Sequence, residues 1–383
     1  MGTASQPGRV SLTPVFWVPP AASLPAAYVA GFTDFDAAVA SDAGTPSNVF
    51  AVEAQYTDAK GRALLSAFSA ASTIVDTSPY PAPSLATSCQ ADGGAVYADG
   101  TGYVSCLTDA QIAAELAREA TAAGIPQDRA HLLTMILPKG VEVCFSTKNT
   151  AHGGSCTLSK ASTRSSGSFC AYHSSGDGQA AGLGLIYAVI PYGSPDPPLK
   201  LTCEGPAEHP SGNAPLDVAL SAYSHEVAEA VTDPTGAGWH DAYGNENGDL
   251  CNDAFGMVVS PGGSGYNQLI GGHHYLLQQE FSNIAWRADP STGCQSSWVP
   301  PSVVLGATGP AIVGKHLTVT ATATAGSAKV AGYAWTLDGA PVAGTSRVVL
   351  SFPSAGTHLV AVTVRDAAGW TGTSSLSVTV SPR

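Results

Sequence analysis

The residues best suited to chemistry lie in one run, Ser221-Ala-Tyr-Ser-His-Glu-Val-Ala-Glu-Ala-Val-Thr-Asp-Pro234. Only 12% of the chain is charged, yet this run sets a His and two Glu among apolar neighbours. As a helix it puts Val218, Ala222, His225 and Glu229 on one face, with His225 and Glu229 one turn apart. A helix apolar nearly all round expects burial, and buried carboxylates without partners are costly. A metal ion offsets that cost at this spacing. Ligands at i and i+4 converge on one ion, and the residue after the first reaches past it to a water. His225-Glu226-x-x-Glu229 therefore reads as two ligands, His225 and Glu229, around a general base, Glu226. The competing reading is a buried His–Glu pair that only stabilises its helix.

Downstream, Trp239-His-Asp-Ala-Tyr-Gly-Asn-Glu-Asn-Gly-Asp-Leu-Cys251 adds Glu246 and Asp249, either of which can reach an ion. Asn245-Glu246-x-x-Asp249 resembles the gluzincin arrangement of thermolysin-like zinc peptidases. That resemblance implies Glu246 on the metal and Asp249 hydrogen-bonded to His225, either role being exchangeable. Glu229 departs from the family, which has a second His there, and a site of one His with two carboxylates is less zinc-selective. Calcium is the rival ion, because Asp241, Asn245, Asn247 and Asp249 offer oxygen ligands on a turn containing Gly248. Further on, Tyr266 to Asn283 reads as a hairpin with Gly271-Gly272 near its turn. His273, His274 and Tyr275 are its candidates for stabilising an oxyanion, against the alternative that each simply packs beside an aromatic ring. No G-x-S-x-G elbow or phosphate-cradling loop competes for the chemistry.

The elements that must position these residues alternate between strand and helix. Thr13 to Val18 reads as a strand, Leu24 to Ala40 as a helix and Asn48 to Tyr56 as a strand. Asp58 to Gly61 reads as a turn, and Asp76 to Gly102 as a long loop. Thr108 with Gln111 reads as a capping box opening a helix that Gly124 stops. His131–Leu137 and Leu185–Ile190 read as buried strands, with a Ser-, Gly- and Cys-rich surface loop at roughly 146–182 between them. The motif helix runs from Pro215 to Thr232 and closes at Asp233-Pro234. After a flexible lead-in at 1–12, residues 13–296 are thus expected to form an α/β (α+β) domain with a mixed sheet and an active-site helix.

Charge and cysteines set the surroundings. A net charge of −13 excludes nucleic acid and anionic membranes as main partners, since both want a basic face. No run reaches the length of a membrane span. The eight cysteines form no CxxC pair and read as disulfides, with Cys89–Cys106 and Cys251–Cys294 expected from proximity. A secreted, extracellular protein follows. Met1-Gly-Thr-Ala-Ser5 has neither the basic nor the apolar region of a signal peptide, so the signal is expected to have been removed.

After Cys294 the composition changes. Residues 297–302 read as a Pro-rich linker and 303–383 as short Val/Thr-rich strands without helix signals, an all-β immunoglobulin-like sandwich. Tyr333-Ala-Trp335, Asp338-Gly339 and Gly356 through Asp366 to Gly369 resemble a polycystic-kidney-disease (PKD) domain. Such modules, the resemblance implies, accompany secreted hydrolases as spacers or as binding modules for polymeric or surface ligands. Trp335 is expected in the sandwich core. The block Ser-His-Glu-x-Ala-Glu, Thr-Asp-Pro, Trp and Asp-Leu-Cys also resembles phosphate-induced, EXORDIUM-like secreted proteins, and the likeness extends to Phe16-Trp17 and Ile186-Tyr187. That family implies an extracellular, cell-wall setting and no reaction.

The expectation is a secreted, monomeric zinc endopeptidase acting on protein or peptide substrates. His225, Glu229, Glu246 and Asp249 would hold Zn2+, and Glu226 would take a proton from water. The alternative, from another class, is a non-catalytic extracellular cell-wall-, carbohydrate- or protein-binding protein with a structural Ca2+.

Overall fold

Apolar strands that alternate between two covered faces build a mixed six-stranded sheet. The computed structural model describes residues 9–57, 67–82, 101–102, 104–145, 156–157, 169–176, 184–193 and 208–383. They fall into two units, Met1–Phe281 with Cys294–Ser296, and Ser282–Gly293 with Ser297–Arg383.

In the first unit the strands are β1 (Arg9–Trp17), β2 (Ala67–Ala70), β3 (Ile74–Asp76), β4 (Ser105–Thr108), β5 (His131–Ile136), β6 (Val141–Cys144), β7 (Tyr172–Ser175) and β8 (Ile186–Ile190). The helices are α1 (Ala26–Ser41), α2 (Asp109–Ala123) and α3 (Ala214–Thr232). The sheet order is β2-β1-β5-β8-β7, with β3 also beside β1 and β4 paired with β6 separately. All pairs in the sheet are parallel except β7 with β8.

Every residue of β8 is buried, as a central strand covered on both faces requires. Leu12, Leu132 and Ile186 face a layer that contains Phe32 and Phe35 of α1 and Tyr223 and Val227 of α3. Val15, Leu133 and Tyr187 face the other way, onto Ile112, Leu116 and Ala120 of α2. The period-two alternation of the strands thus sorts the core into two layers, and α3 lies on the first. α2 opens on the expected Thr108–Gln111 capping box and ends at Gly124 in the left-handed region. α3 is capped by Asn213, whose side chain accepts from Leu216 N–H.

Three local expectations fail for physical reasons. Val49–Gln55 is a 3-10 helix, not a strand: Val49 through Ala54 are all buried, so the apparent alternation had no exposed face to define it. Arg9–Leu12, expected in the lead-in, already pair with β2. The stretch read as a surface loop contains β7, an antiparallel strand with Tyr172 buried. Gly/Ser-rich flanks masked so short a strand.

Beyond α3, β9 (Gln268–Ile270) and β10 (His273–Tyr275) form the expected hairpin over Gly271-Gly272, and β11 (Glu280–Phe281) pairs with β12 (Cys294–Gln295). Cys251–Cys294 is bonded as expected, and Cys144–Cys156 is a further disulfide. Cys106 and Cys170 are also disulfide-bonded. Cys89, the expected partner of Cys106, lies outside the described residues, as do the turn at Asp58–Gly61 and most of the loop expected at Asp76–Gly102. Among the described residues no helix is long and apolar enough to cross a membrane.

The second unit includes a β-sandwich. One sheet is β13 (Ser302–Thr308), β14 (His316–Thr324) and β17 (Arg347–Ser351). The other is β16 (Ala340–Val342), β15 (Val330–Leu337), β18 (Gly356–Asp366) and β19 (Thr371–Val380), in that order. Trp335 is buried among Val319, Leu350 and Val362, with its ring N–H satisfied by Thr345 O, which settles its role as core. Trp298, read as part of the linker, is buried and donates to Asp366 Oδ2 at 2.8 Å. Its indole therefore belongs with the sandwich.

Candidate metal centre

Three elements bring the acidic residues together. α3 contributes His225, Glu226 and Glu229, β7 contributes His173, and the loop after α3 contributes Glu246 and Asp249. All six line a cavity of about 510 Å³. His225 Nε2 lies 3.0 Å from Glu229 Oε1, one helical turn on, and 3.9 Å from Asp249 Oδ1. His173 Nε2 lies 3.0 Å from Glu246 Oε2 and 3.8 Å from Glu229 Oε2.

The loop earns its shape from its own polar groups. Asp241 Oδ1 accepts from the N–H groups of Tyr243 and Asn245, and its Oδ2 accepts from the Asn245 amide. Asp249 Oδ2 accepts from Glu246 N–H, and Asp249 N–H donates to Glu229 Oε1 at 3.0 Å. The Cys251–Cys294 disulfide closes the loop's end. Gly248 passes so close to α3 that a Cβ there would lie 2.8 Å from His225 Nδ1 and 2.9 Å from Glu229 Oε1. Any side chain at 248 would push His225 or Glu229 out of this arrangement.

Electrostatics follow from crowding acids and imidazoles in a buried space. Burial first, and then the charges of Glu229 and Glu246 against those of His225 and His173, push Glu226 up to about 8. Glu246 rises to about 7, chiefly through burial and against its hydrogen bond to His173. Burial would lower His173, but the hydrogen bond and charge of Glu246 overcome it and raise the ring to about 9. His225 is likewise raised well above its ordinary value, burial being outweighed by Glu229. Burial would raise Glu229, yet His225 and His173 hold it below the usual carboxylate range.

The donors fit a cation. Ligand atoms bonded at roughly 2.0–2.2 Å in a tetrahedral shell sit roughly 3.3–3.6 Å from one another, close to the 3.0 and 3.9 Å separations around His225. His225, Glu229 and Asp249 offer atoms within 4.8 Å of one another, and so do His173, Glu226 and Glu229. Buried Glu226 Oε2 and Glu246 Oε1 have no hydrogen-bond partner. Two other acidic groupings are otherwise accounted for: Cys144 and Cys156, beside Glu142, are bonded to each other, and Arg118 pairs with Asp76, Glu115 and Glu119.

Five residues singled out in the sequence therefore meet: His225, Glu226, Glu229, Glu246 and Asp249. The oxygens expected for a calcium loop are dispersed, Asp241 being occupied by its own loop and Asn247 turned to Glu53 and Glu280. His273, His274 and Tyr275 do not line the cavity. The hairpin carries His273 and His274 on exposed positions, His274 stacks on Tyr266 at 3.7 Å, and Tyr275 packs its buried ring against Phe35. Packing beside aromatic rings is the role the structure gives His274 and Tyr275. Sequence reasoning missed two residues. His173 lay in a stretch whose only signal was the apolar patch Phe169–Tyr172. Gln278, whose Nε2 lies 3.0 Å from His225 Nδ1 and donates to Gly248 O, carried no signal at all.

No family model matches the chain, and no curated protein matches it. Among solved structures it is similar to the PKD1 domain of Vibrio anguillarum Epp, at 19% identity over 23% of this chain and 100% of that one, with a TM-score of 0.20. It is similar too to the PKD1 domain from Vibrio cholerae metalloprotease PrtV, at 20% identity over 21% and 98%, with a TM-score of 0.19. The Clostridium perfringens spore cortex lytic enzyme SleM gives 18% identity over 29% and 40%, with a TM-score of 0.19. Likenesses of this size leave the chemistry of the cavity to its own residues.

Proposed function

We propose that the chain is a secreted metal-dependent hydrolase, with peptide bonds as its substrates, a zincin-like first unit and a PKD-like sandwich. The observation that carries this reading is Glu226, a buried carboxylate one residue past His225, which lines the cavity with Oε2 free of hydrogen bonds. His225, Glu229 and Asp249 would hold the ion, Zn2+ being the first candidate, and Glu246 stands beside them through His173. When bound, the ion supplies a Lewis acid that polarises a scissile carbonyl and acidifies water. Glu226 accepts the proton of the attacking water at Oε2 and returns it to the leaving nitrogen. Gln278, held by its bond to Gly248 O, lies against the His225 ring on the side away from the ion. Phe145, Phe169 and Tyr172, with centroids 4.4–5.3 Å apart on the cavity wall, offer an apolar seat for a substrate side chain. The disulfides favour an oxidising compartment, hence secretion.

Glu226→Gln should retain bound metal by elemental analysis while casein cleavage falls by roughly 10²–10⁴-fold. Wild-type cleavage should cease with chelator. Undiminished activity in Glu226→Gln, or no metal and no chelator-sensitive cleavage between acidic and mildly alkaline pH, would refute the proposal.

A further inference from the structure

Glu229 stands between two sets of ligand atoms. Its Oε1 lies 3.0 Å from His225 Nε2 and its Oε2 lies 3.8 Å from His173 Nε2, so the two oxygens of one carboxylate face different imidazoles. The atoms within 4.8 Å of one another separate accordingly, His225 grouping with Glu229 and Asp249, and His173 with Glu226 and Glu229. Among the described residues no group of this kind contains both histidines. Glu246 lies outside both groups but reaches the second through His173, with Oε2 3.0 Å from His173 Nε2. An ion on the first set alone would leave His173 between Glu246 and the far oxygen of Glu229, while Glu246 Oε1 stays buried without a hydrogen-bond partner.

Charge points the same way. Glu226, Glu229, Glu246, Asp249 and Asp253 are five carboxylates on one cavity, and His173 and His225 are the only basic side chains among its described lining residues. One divalent ion offsets two negative charges; two offset four. Uncompensated charge in a buried space is costly, and each imidazole that binds a metal does so in its neutral form and no longer meets that charge itself.

We propose that the centre binds two divalent cations, one on His225, Glu229 and Asp249 and the other on His173, Glu246 and Glu229, with Glu229 bridging them. This rests on the metal-dependent reading above and extends it. Each ion receives one imidazole nitrogen and carboxylate oxygens, a donor set that suits Zn2+, Mn2+ or Co2+. Glu226, grouped with His173 and Glu229, remains the base beside the pair. Two-ion centres stabilise both the attacking and the leaving atom of a displacement, so the second ion gives His173 and Glu246 a role in turnover.

The full chain, stripped with chelator and dialysed against Zn2+, should retain two ions by elemental analysis. His173→Ala and His225→Ala should each retain one, with unchanged far-UV circular dichroism. Glu246→Gln, a near-isosteric change, gives the same test of the second set if His173→Ala does not fold. The Mn2+-loaded protein should give the electron paramagnetic resonance of a spin-coupled pair, converted to that of isolated ions in either histidine variant. One ion in the wild type, kept in His173→Ala and lost in His225→Ala, would overturn the second ion and leave the hydrolase proposal standing. No ion in the wild type would overturn both.

Discussion

Adjacent residues of one loop serve two buried acidic clusters that differ in everything but their acids. Glu246 meets His173 at the cavity, whereas Asn247 donates to Glu53 Oε1 and Glu280 Oε2, both at 2.9 Å, and accepts from Thr232 Oγ1 at 2.8 Å. Glu53, Glu280 and Asn247 are fully buried. Burial, then the charges of Glu280 and Glu229, drives Glu53 well above the usual carboxylate range. Burial raises Glu280 too, against the charge of His225 and with that of Glu229. Both clusters are acidic and desolvated, but among the described residues only the cavity side has imidazoles in contact with its acids and an opening. Burial of acids alone therefore marks no reactive site; an amide can tie two carboxyls into a structural unit.

The sharpest way to break this contrast is to remove the amide. Asn247→Ala leaves Glu53 and Glu280 without their shared partner, each a buried polar group costing about 1–3 kcal/mol, whereas Thr232 Oγ1 keeps the carbonyls of Ala228 and Glu229. The expected loss of stability is on the order of 4 kcal/mol, read as a fall in the urea midpoint of the metal-free protein. An unchanged midpoint would show that the sealed pair does not depend on Asn247.

The same contrast explains what could be read in advance. α3 was legible because its apolar residues and its Asp233-Pro234 stop agree, and the i, i+4 spacing of His225 and Glu229 follows from the helix alone. Glu246 and Asp249 were legible because the chain returns them to α3 over a short loop. His173 was not: it sits 52 residues before His225 in a four-residue strand, and only sheet pairing with β8 brings it to the site. Glu53 was hidden for a related reason, since the 3-10 helix that buries it looked like an alternating strand. Long-range pairing and local period are different kinds of information, and a single sequence carries mainly the second.

A third buried acid separates burial from both kinds of partner. Asp36 on α1 accepts from the Tyr223 hydroxyl at 2.9 Å, while its Oδ2 is buried without a hydrogen bond. Burial raises it from 3.8 to about 7, against the hydrogen bond from Tyr223. The folded protein thus keeps a proton that the unfolded chain releases near 3.8, so stability falls as pH rises through that window and levels off above about 7. Three pKa units correspond to roughly 4 kcal/mol, and an amide N–H without a partner returns about 1. Asp36→Asn should therefore gain about 3 kcal/mol at pH 8 and lose about 1 below pH 3.5, by urea melts at each pH. A gain independent of pH would show that Asp36 is ionised in the fold.

The smallest effect should come from a pair whose contact is as close as any in the cavity. His358 Nδ1 lies 2.7 Å from Asp338 Oδ2 in the sandwich, against 3.0 Å for His173 and Glu246. Its hydrogen bonds to Asp338 and to Ser354 O raise His358, so the pair contributes at low pH and fades as the ring loses its proton. Asp338 is open to solvent, where water and salt screen the charge, and its Oδ1 still accepts from Leu359 N–H without the histidine. What His358→Ala removes is mainly the ring's contact with Phe352. Its urea midpoint should move far less than that of Asn247→Ala, with bound metal unchanged. A shift of equal size would mean that contact distance, rather than desolvation, sets the strength of His–carboxylate pairs in this protein, and the contrast between cavity and surface would fall with it.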